Sequence, residues 1–380
     1  MKLYFIALLS LNLILFSCSG SDDSGPQAIL GCTDSNAINY NSNATESDGS
    51  CYYPTGYTLE VPQIFDLILP PHIPTDNQLS VEGIALGRKL FYDPILSGDG
   101  TQACADCHLA ENSFTDPRQF SIGIDGSIGT RNAMPLFNVA WNLDEKFFWD
   151  GRAISLEDQA FGPVVNPIEM NNTWPNAVAS LQANAQYPNL FQEAFGTSTI
   201  DSTLVAKAIS QFERTLVSAN SRFDKFSIGT GTLTPSEENG LAIFMDEERG
   251  DCFHCHGNPN SPLWTDNDFH NNGLDSIITD IGLGEFTGDP NDNGKFKSPS
   301  LRNLAFSAPY MHDGRFETID DVINHYSEGL NDSPTIDPLM KTVANGGVHL
   351  TDSDKADLKA FLLSLSDESF INNPDYQDPN

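Results

Sequence analysis

Two short clusters in this chain combine residue types and spacing that suit metal chemistry: "CADCH" at 104–108 and "CFHCH" at 252–256. With 7 Cys and 8 His in 380 residues, a C-x-x-C-H run is expected by chance only roughly 0.003 times per chain. Two copies therefore need a chemical reason. A structural zinc site takes four ligands at short spacing, whereas each cluster offers three with no further Cys pair nearby. A thioredoxin-like C-x-x-C belongs in a βαβ setting, which the pattern lacks. Covalent c-type haem uses every residue: two thiols one turn apart add to the haem vinyl groups, and the next His ligates the iron. Cys104 and Cys107, and Cys252 and Cys255, are thus the expected attachment points of two haems. His108 and His256 are the expected axial ligands.

A haem that only carries electrons takes a second strong axial ligand, whereas catalysis leaves a position open. No His occurs between His108 and His254, so the soft or imidazole candidates near the first haem reduce to His72, Met134 and Met170. An open first haem is the expectation, which favours catalysis over simple electron transfer.

The elements that must hold these clusters read as helices. "SVEGIALGRKLFYD" leads into the first cluster and "TPSEENGLAIFMDEERGD" into the second, a loose internal duplication. In the second run Thr234 can cap, Pro235 suits the first helical position and Glu237 completes a capping box. "DSTLVAKAISQFERTLVSA" sets Leu204, Ala208, Phe212 and Leu216 along one face, and "TDSDKADLKAFLLSL" sets Leu358, Phe361, Leu362 and Leu365 at helical spacing. Between them run loops rich in Gly, Asn, Asp and Pro. The expected class is mostly α, in two cytochrome c-like helical domains with long loops, each binding one covalent c-type haem.

The first residues read differently. Lys2 precedes an apolar run over 3–16, too short to span a bilayer as a helix, followed by "SCSGSDDSG". This pattern reads as an export signal. "LFSC" resembles a bacterial lipobox, which implies acylation of Cys18 and a lipid anchor; an ordinary secretory signal is the alternative. Either route leads out of the cytoplasm, to the cell envelope: the periplasm or the outer membrane surface. There, Cys32 and Cys51 remain as an expected disulfide once lipid and haem have taken the other five cysteines. The segment between them resembles the acidic, Asn-rich repeats of Bacteroidetes-type surface proteins. Calcium on Asp34 and Asp48, or a plain stapled spacer, are both open readings. Charge excludes one class of partner: 19 Lys and Arg against 52 Asp and Glu give a net −33, unsuited to nucleic acid or anionic lipid.

"GRKLFYDPILSGDG", "FTDPRQFSIG", "GTRNAMPLFNVAWN", "FFWDGRAISLEDQAFGPVVNPIEM", "FHNNGL" and "KSPSLRNLAFSAPYMHDGRFETIDDVI", together with both haem clusters, resemble the bacterial di-haem cytochrome c peroxidase family, which includes MauG. The resemblance runs over 65–365. It implies an N-terminal peroxidatic haem domain at 58–228 and a C-terminal electron-transfer haem domain at 229–370. A signal peptide (1–17), an anchored linker with its stapled repeat (18–57) and a tail (371–380) complete the chain. By the same resemblance Trp149 relays electrons between the haems, Glu169 is the distal acid/base for hydrogen peroxide and Gln159 orients it. One calcium ion is held by the Asn132 side chain and the carbonyls of Ser307 and Pro309. The electron donor is a small cytochrome c or cupredoxin, and a homodimer is an expected assembly.

Two departures from the switch-type members stand out. Where those carry a distal His, the loop reads "SIGI", so Ile124 implies a five-coordinate first haem that needs no reductive activation. The far ligand of the second haem, Met in those peroxidases and Tyr in MauG, falls on Tyr326, with His325, Met311 and Met340 as alternatives. A phenolate lowers the potential and favours ferric and higher states. The leading expectation is peroxide reduction to water. The alternative is MauG-like, peroxide-dependent oxidation of a protein or small organic partner, and electron transfer without catalysis comes last.

Overall fold

The computed structural model describes residues 27–35 and 37–379; the signal segment and Cys18 lie outside them. The chain divides into two compact units, with the boundary in sequence between Tyr52 and Tyr53. In the small unit, strands β1 (Leu30–Gly31) and β2 (Glu46–Ser47) pair in parallel, Leu30 opposite Glu46. A disulfide joins Cys32 to Cys51. Asp48 closes a turn by accepting from the Ser50 amide at 2.9 Å.

The large unit is helical. Its first part contains α1 (Val81–Tyr92), α2 (Leu156–Val165), α3 (Trp174–Ala183), α4 (Tyr187–Phe195) and α5 (Ser202–Arg214). Its second part contains α6 (Arg222–Ser227), α7 (Pro235–Phe244), α8 (Phe253–His256), α9 (Leu283–Thr287), α10 (Ile319–Glu328), α11 (Asp352–Ser364) and α12 (Glu368–Ile371). One short antiparallel pair, β3 (Phe269–His270) with β4 (Phe296–Lys297), sets His270 opposite Phe296. The mostly α expectation holds.

Local chemistry explains where the helices start. Ser80 Oγ accepts from Gly83 N at 3.0 Å to open α1. At α7, Thr234 Oγ1 accepts from Glu237 N while Glu237 Oε2 accepts from Thr234 N at 2.7 Å, the reciprocal box read from the sequence. Such a cap contributes about 1 kcal/mol.

Two helix crossings repeat the same device. A Cβ on Gly87 of α1 would meet the Ala208 carbonyl of α5 at 1.9 Å, and one on Gly240 of α7 would meet the Asp357 carbonyl of α11 at 2.0 Å. Only glycine lets these backbones approach so closely. Around the first crossing lie Leu86, Leu90, Ala208 and Ile209; around the second lie Ile243, Phe244, Leu358 and Phe361.

α5 departs from the single apolar face read from its sequence. Leu204 is only half-buried, while every residue from Val205 to Arg214 except Lys207 is buried. The cause is packing by α1, α2, α3 and α4 together, which leaves only its first turn and Lys207 towards solvent. Two connections tie the parts of the large unit further. Phe370 of α12 packs against Phe114 and Phe137 of the first part. Residues 371–379 lie on α1: Arg88 donates to the carbonyls of Pro374 and Gln377 at 2.6 and 2.7 Å, and Tyr92 Oη donates to the Tyr376 carbonyl.

Candidate active site

The first cluster sits on a 3-10 turn, Cys104–Asp106, whose start is held by Asp106 accepting from Ala103 N at 2.8 Å. The next two amides, of Cys107 and His108, both donate back to the Cys104 carbonyl. This winds the two thiols and the imidazole onto one wall of a cavity of about 320 Å³. His108 Nδ1 lies 2.8 Å from the Phe114 carbonyl, which can only accept, so Nδ1 carries the proton and Nε2 keeps its lone pair. Burial pulls the imidazole below its ordinary pKa and keeps it neutral.

The second cluster follows the same plan on α8. The His256 amide donates to the Cys252 carbonyl, and His256 Nδ1 donates to the Pro299 carbonyl at 3.2 Å. Burial lowers this imidazole to about 4. Cys252, Cys255 and His256 line a second cavity of about 220 Å³.

These residues fit covalent haem. All four motif cysteines are free thiols, and burial raises Cys104, and Cys252 to about 12, so neither is a thiolate ready to bind a bare ion. Among the described residues no three His, Cys, Asp or Glu side chains converge on a metal-sized point. Each motif instead presents two thiols and one neutral imidazole to a cavity wall. In the first cavity the buried indole Nε1 of Trp141 has no partner, a donor that a propionate would satisfy.

Most of the expected site residues gather here. Glu169, Gln159 and Trp149 line the first cavity. Glu169 is fixed by Asn166, whose Nδ2 donates to Oε1 at 2.6 Å. Burial raises its carboxyl pKa, while the Asn166 hydrogen bond and the Arg152 charge pull it part of the way back. Trp149, 8% exposed, lines both cavities, and its Nε1 donates to the Asn132 carbonyl at 2.8 Å. The turn that presents it is pinned by Asp150, which accepts from Arg131 and Arg152 at 2.5 and 2.9 Å.

In the second cavity Tyr326 accepts through Oη from Asn272 Nδ2 at 3.1 Å, and burial lifts its phenol to about 12. Met311 and Met340 share that lining, but His325 does not: its Nε2 turns to the Asn272 carbonyl at 3.3 Å. Asn132, Ser307 and Pro309 also line this cavity, and Asn132 Nδ2 points at the carbonyls of Asp116, Arg118 and Gln119. His72 stands elsewhere, paired with Glu145 at 2.9 Å. Ile124 borders a separate surface pocket, its amide donating to the Glu169 carbonyl at 3.0 Å.

Asn166, Asn272, Trp141 and Glu213 were not picked out in the sequence reading. One unused signal was in view: "FWDGR" and "MHDGR" repeat each other. Both fold into the same turn, with positive φ at Phe148 and Met311, bridges Phe147–Ala153 and Tyr310–Phe316, and an Arg on the turn Asp. The repeat would have paired Trp149 with His312, which stacks on Phe296 at 3.6 Å.

A helical unit with two c-type haem cavities sharing a tryptophan defines a class, and the comparisons agree: the chain belongs to the di-haem cytochrome c peroxidase family. A family model of that description matches residues 81–232. Methylamine utilization protein MauG of Methylorubrum extorquens is 36% identical over 303 residues, 78% of this chain and 82% of that protein. Cytochrome c peroxidase Ccp of Escherichia coli is 35% identical over 308 residues, and this chain spans only 60% of its length. A solved MauG-like protein associated with microbial copper homeostasis superposes with a TM-score of 0.77 at 37% identity, covering 85% of this chain and 99% of that one.

Proposed function

We propose that this chain is a peroxidase that reduces hydrogen peroxide to two waters with two electrons and two protons, at the haem attached through Cys104 and Cys107 under His108. The observation that carries this is Glu169: a carboxyl with a raised pKa, oriented by Asn166, in the cavity that holds the first attachment site. When bound, haem iron supplies the site and the electrons that break the O–O bond. Glu169 takes the proton from the near oxygen of peroxide and returns it to the far one, for which a carboxyl whose pKa burial raises is suited. Gln159 orients the same molecule. A small cytochrome c or cupredoxin would supply the electrons by way of the second attachment site, where Tyr326 would serve as the far ligand of a bound haem. Trp149 passes them on, supported by its place in the walls of both cavities. Calcium on Asn132, Ser307 and Pro309 would fix the Asn132 carbonyl that Trp149 binds. Acylation of Cys18 would anchor the enzyme in the cell envelope.

Tyr326 beside the second attachment site, with the MauG relatives, favours a second reading: peroxide-dependent oxidation of a protein or organic partner. Turnover of a reduced small cytochrome by the purified holoprotein decides between them. Fast, peroxide-dependent cytochrome oxidation supports the peroxidase. Slow oxidation, with peroxide consumed only when an organic partner is present, sinks it in favour of the alternative.

A further inference from the structure

α5 carries one carboxylate inward for which neither the fold nor the proposed reaction accounts. Glu213 is 4% exposed, lines the first cavity together with Cys104, and its Oε2 is buried without a hydrogen-bond partner. Its neighbour Arg214 is committed elsewhere, donating to Glu157 at 2.6 and 3.0 Å. Glu157 also takes Asn77 at 2.6 Å, so the charges acting on Glu213 are a guanidinium and a carboxylate that neutralise each other. Other charged groups on the packed elements are also engaged. Arg88 of α1 holds tail carbonyls, Glu82 holds Thr55, Asp158 of α2 accepts from Ile154 N, Lys207 binds Asp76 and Asp106 caps its own turn. Burial then dominates and lifts the carboxyl to about 8. A carboxylic acid held near neutrality beside a redox group responds to that group's charge.

We propose that Glu213 is the redox-linked proton site of the first haem: its carboxylate binds one proton from solvent when the group attached at Cys104 and Cys107 gains one electron, and releases it on reoxidation. The electron comes from the reduced donor, so charge and mass balance with no further reactant. The physical reason is Coulombic. In a dry cavity an ionised carboxylate stabilises the ferric charge, so losing that charge raises the carboxylate's proton affinity. The inference rests on haem attachment at this cavity, and it stands whether or not peroxide is the substrate.

Redox titration of the holoprotein with mediators, from neutral to alkaline pH, tests it. The potential of the first haem falls with rising pH in the native chain. In Glu213→Gln that slope is lost and the potential stays at the native acid limit, while Glu169→Gln keeps the slope. A slope unchanged in Glu213→Gln overturns the proposal and moves the proton to Glu169, Lys297 or a propionate. Redox-difference infrared spectroscopy of the native holoprotein needs no variant to fold. A carboxylic acid C=O band gained on reduction supports the assignment, and its absence overturns it. A protein that titrates in this way yet fails to turn over peroxide removes the peroxidase reading alone.

Discussion

The two haem-bearing parts of the large unit share a frame and differ in what the frame presents. Each pairs a helix before its cluster with a later one through a glycine pressed on a carbonyl, Gly87 on Ala208 and Gly240 on Asp357. Each fixes its His through Nδ1 to a backbone carbonyl, and each has an Asp-Gly-Arg turn. The cavities nevertheless diverge. The first gathers Glu169 and Glu213, two carboxyls raised by burial, whereas the second offers a phenol, two thioethers and an amide around Tyr326. Carboxyls raised by burial thus mark the first cavity, and a phenol with two thioethers marks the second.

The largest effect expected from breaking this contrast is at Glu169. Replacement by Gln removes the acid/base while keeping the Asn166 contact within reach, and should slow the peroxide step by about 10²–10⁴. With Tyr326 as the proposed far ligand, Tyr326→Phe should leave that step nearly unchanged and instead raise the potential of the second haem. Rapid mixing with peroxide measures the first and redox titration the second. If Tyr326→Phe slowed the peroxide step as much as Glu169→Gln, the division of labour would be wrong.

Stability gives the next comparison. Each part holds a buried guanidinium–carboxylate pair: Arg214 with Glu157, and Arg302 with Asp224 at 2.7 and 2.8 Å. The second pair is the drier, with side chains 0% and 2% exposed against 3% and 17%. Asp224→Asn strands a buried cation and should cost about 3–5 kcal/mol; Glu157→Gln should cost less, as the more exposed site lets water help. Burial alone would raise both carboxyls, but the guanidinium outweighs it and holds them below the ordinary range. Their contribution is therefore present above the unfolded carboxylate pKa and lost as pH falls through the lower, folded one. Glu213 has the opposite sign: its raised carboxyl makes stability fall as pH rises from about 4.5 to about 8. Urea titrations of the native chain and Glu213→Gln across that range should differ in slope, with the variant flatter.

What the sequence could and could not disclose follows from the range of each interaction. Caps such as Thr234 with Glu237 span three residues and are written in the chain itself, as is the winding of Cys104 to His108. The glycine crossings join residues more than a hundred positions apart, Gly87 to Ala208 and Gly240 to Asp357, and nothing local marks them. The same holds for Arg302 with Asp224, and for the burial that turns Glu213 from a surface-like helix residue into a proton site. Glu169 and Trp149 came from resemblance, and geometry then supplied their partners Asn166 and Asn132.

The smallest effect sharpens the comparison most. Gly87→Ala and Gly240→Ala each insert one methyl where a backbone carbonyl already stands at 1.9 or 2.0 Å. The obstacle is main chain and cannot swing aside, so the helices must part, at about 1–3 kcal/mol. The neighbours differ slightly: the added methyl would lie 3.0 Å from Phe212 Cβ in the first crossing and 2.7 Å from Phe361 Cβ in the second. Gly240→Ala should therefore be somewhat the worse of the two. Thermal unfolding followed separately at each haem band would read the consequence. If each variant loosens its own haem first, the two parts are separable cooperative units. If both bands shift together, the tail braced on α1 and Phe370 packed on Phe114 and Phe137 have made them one.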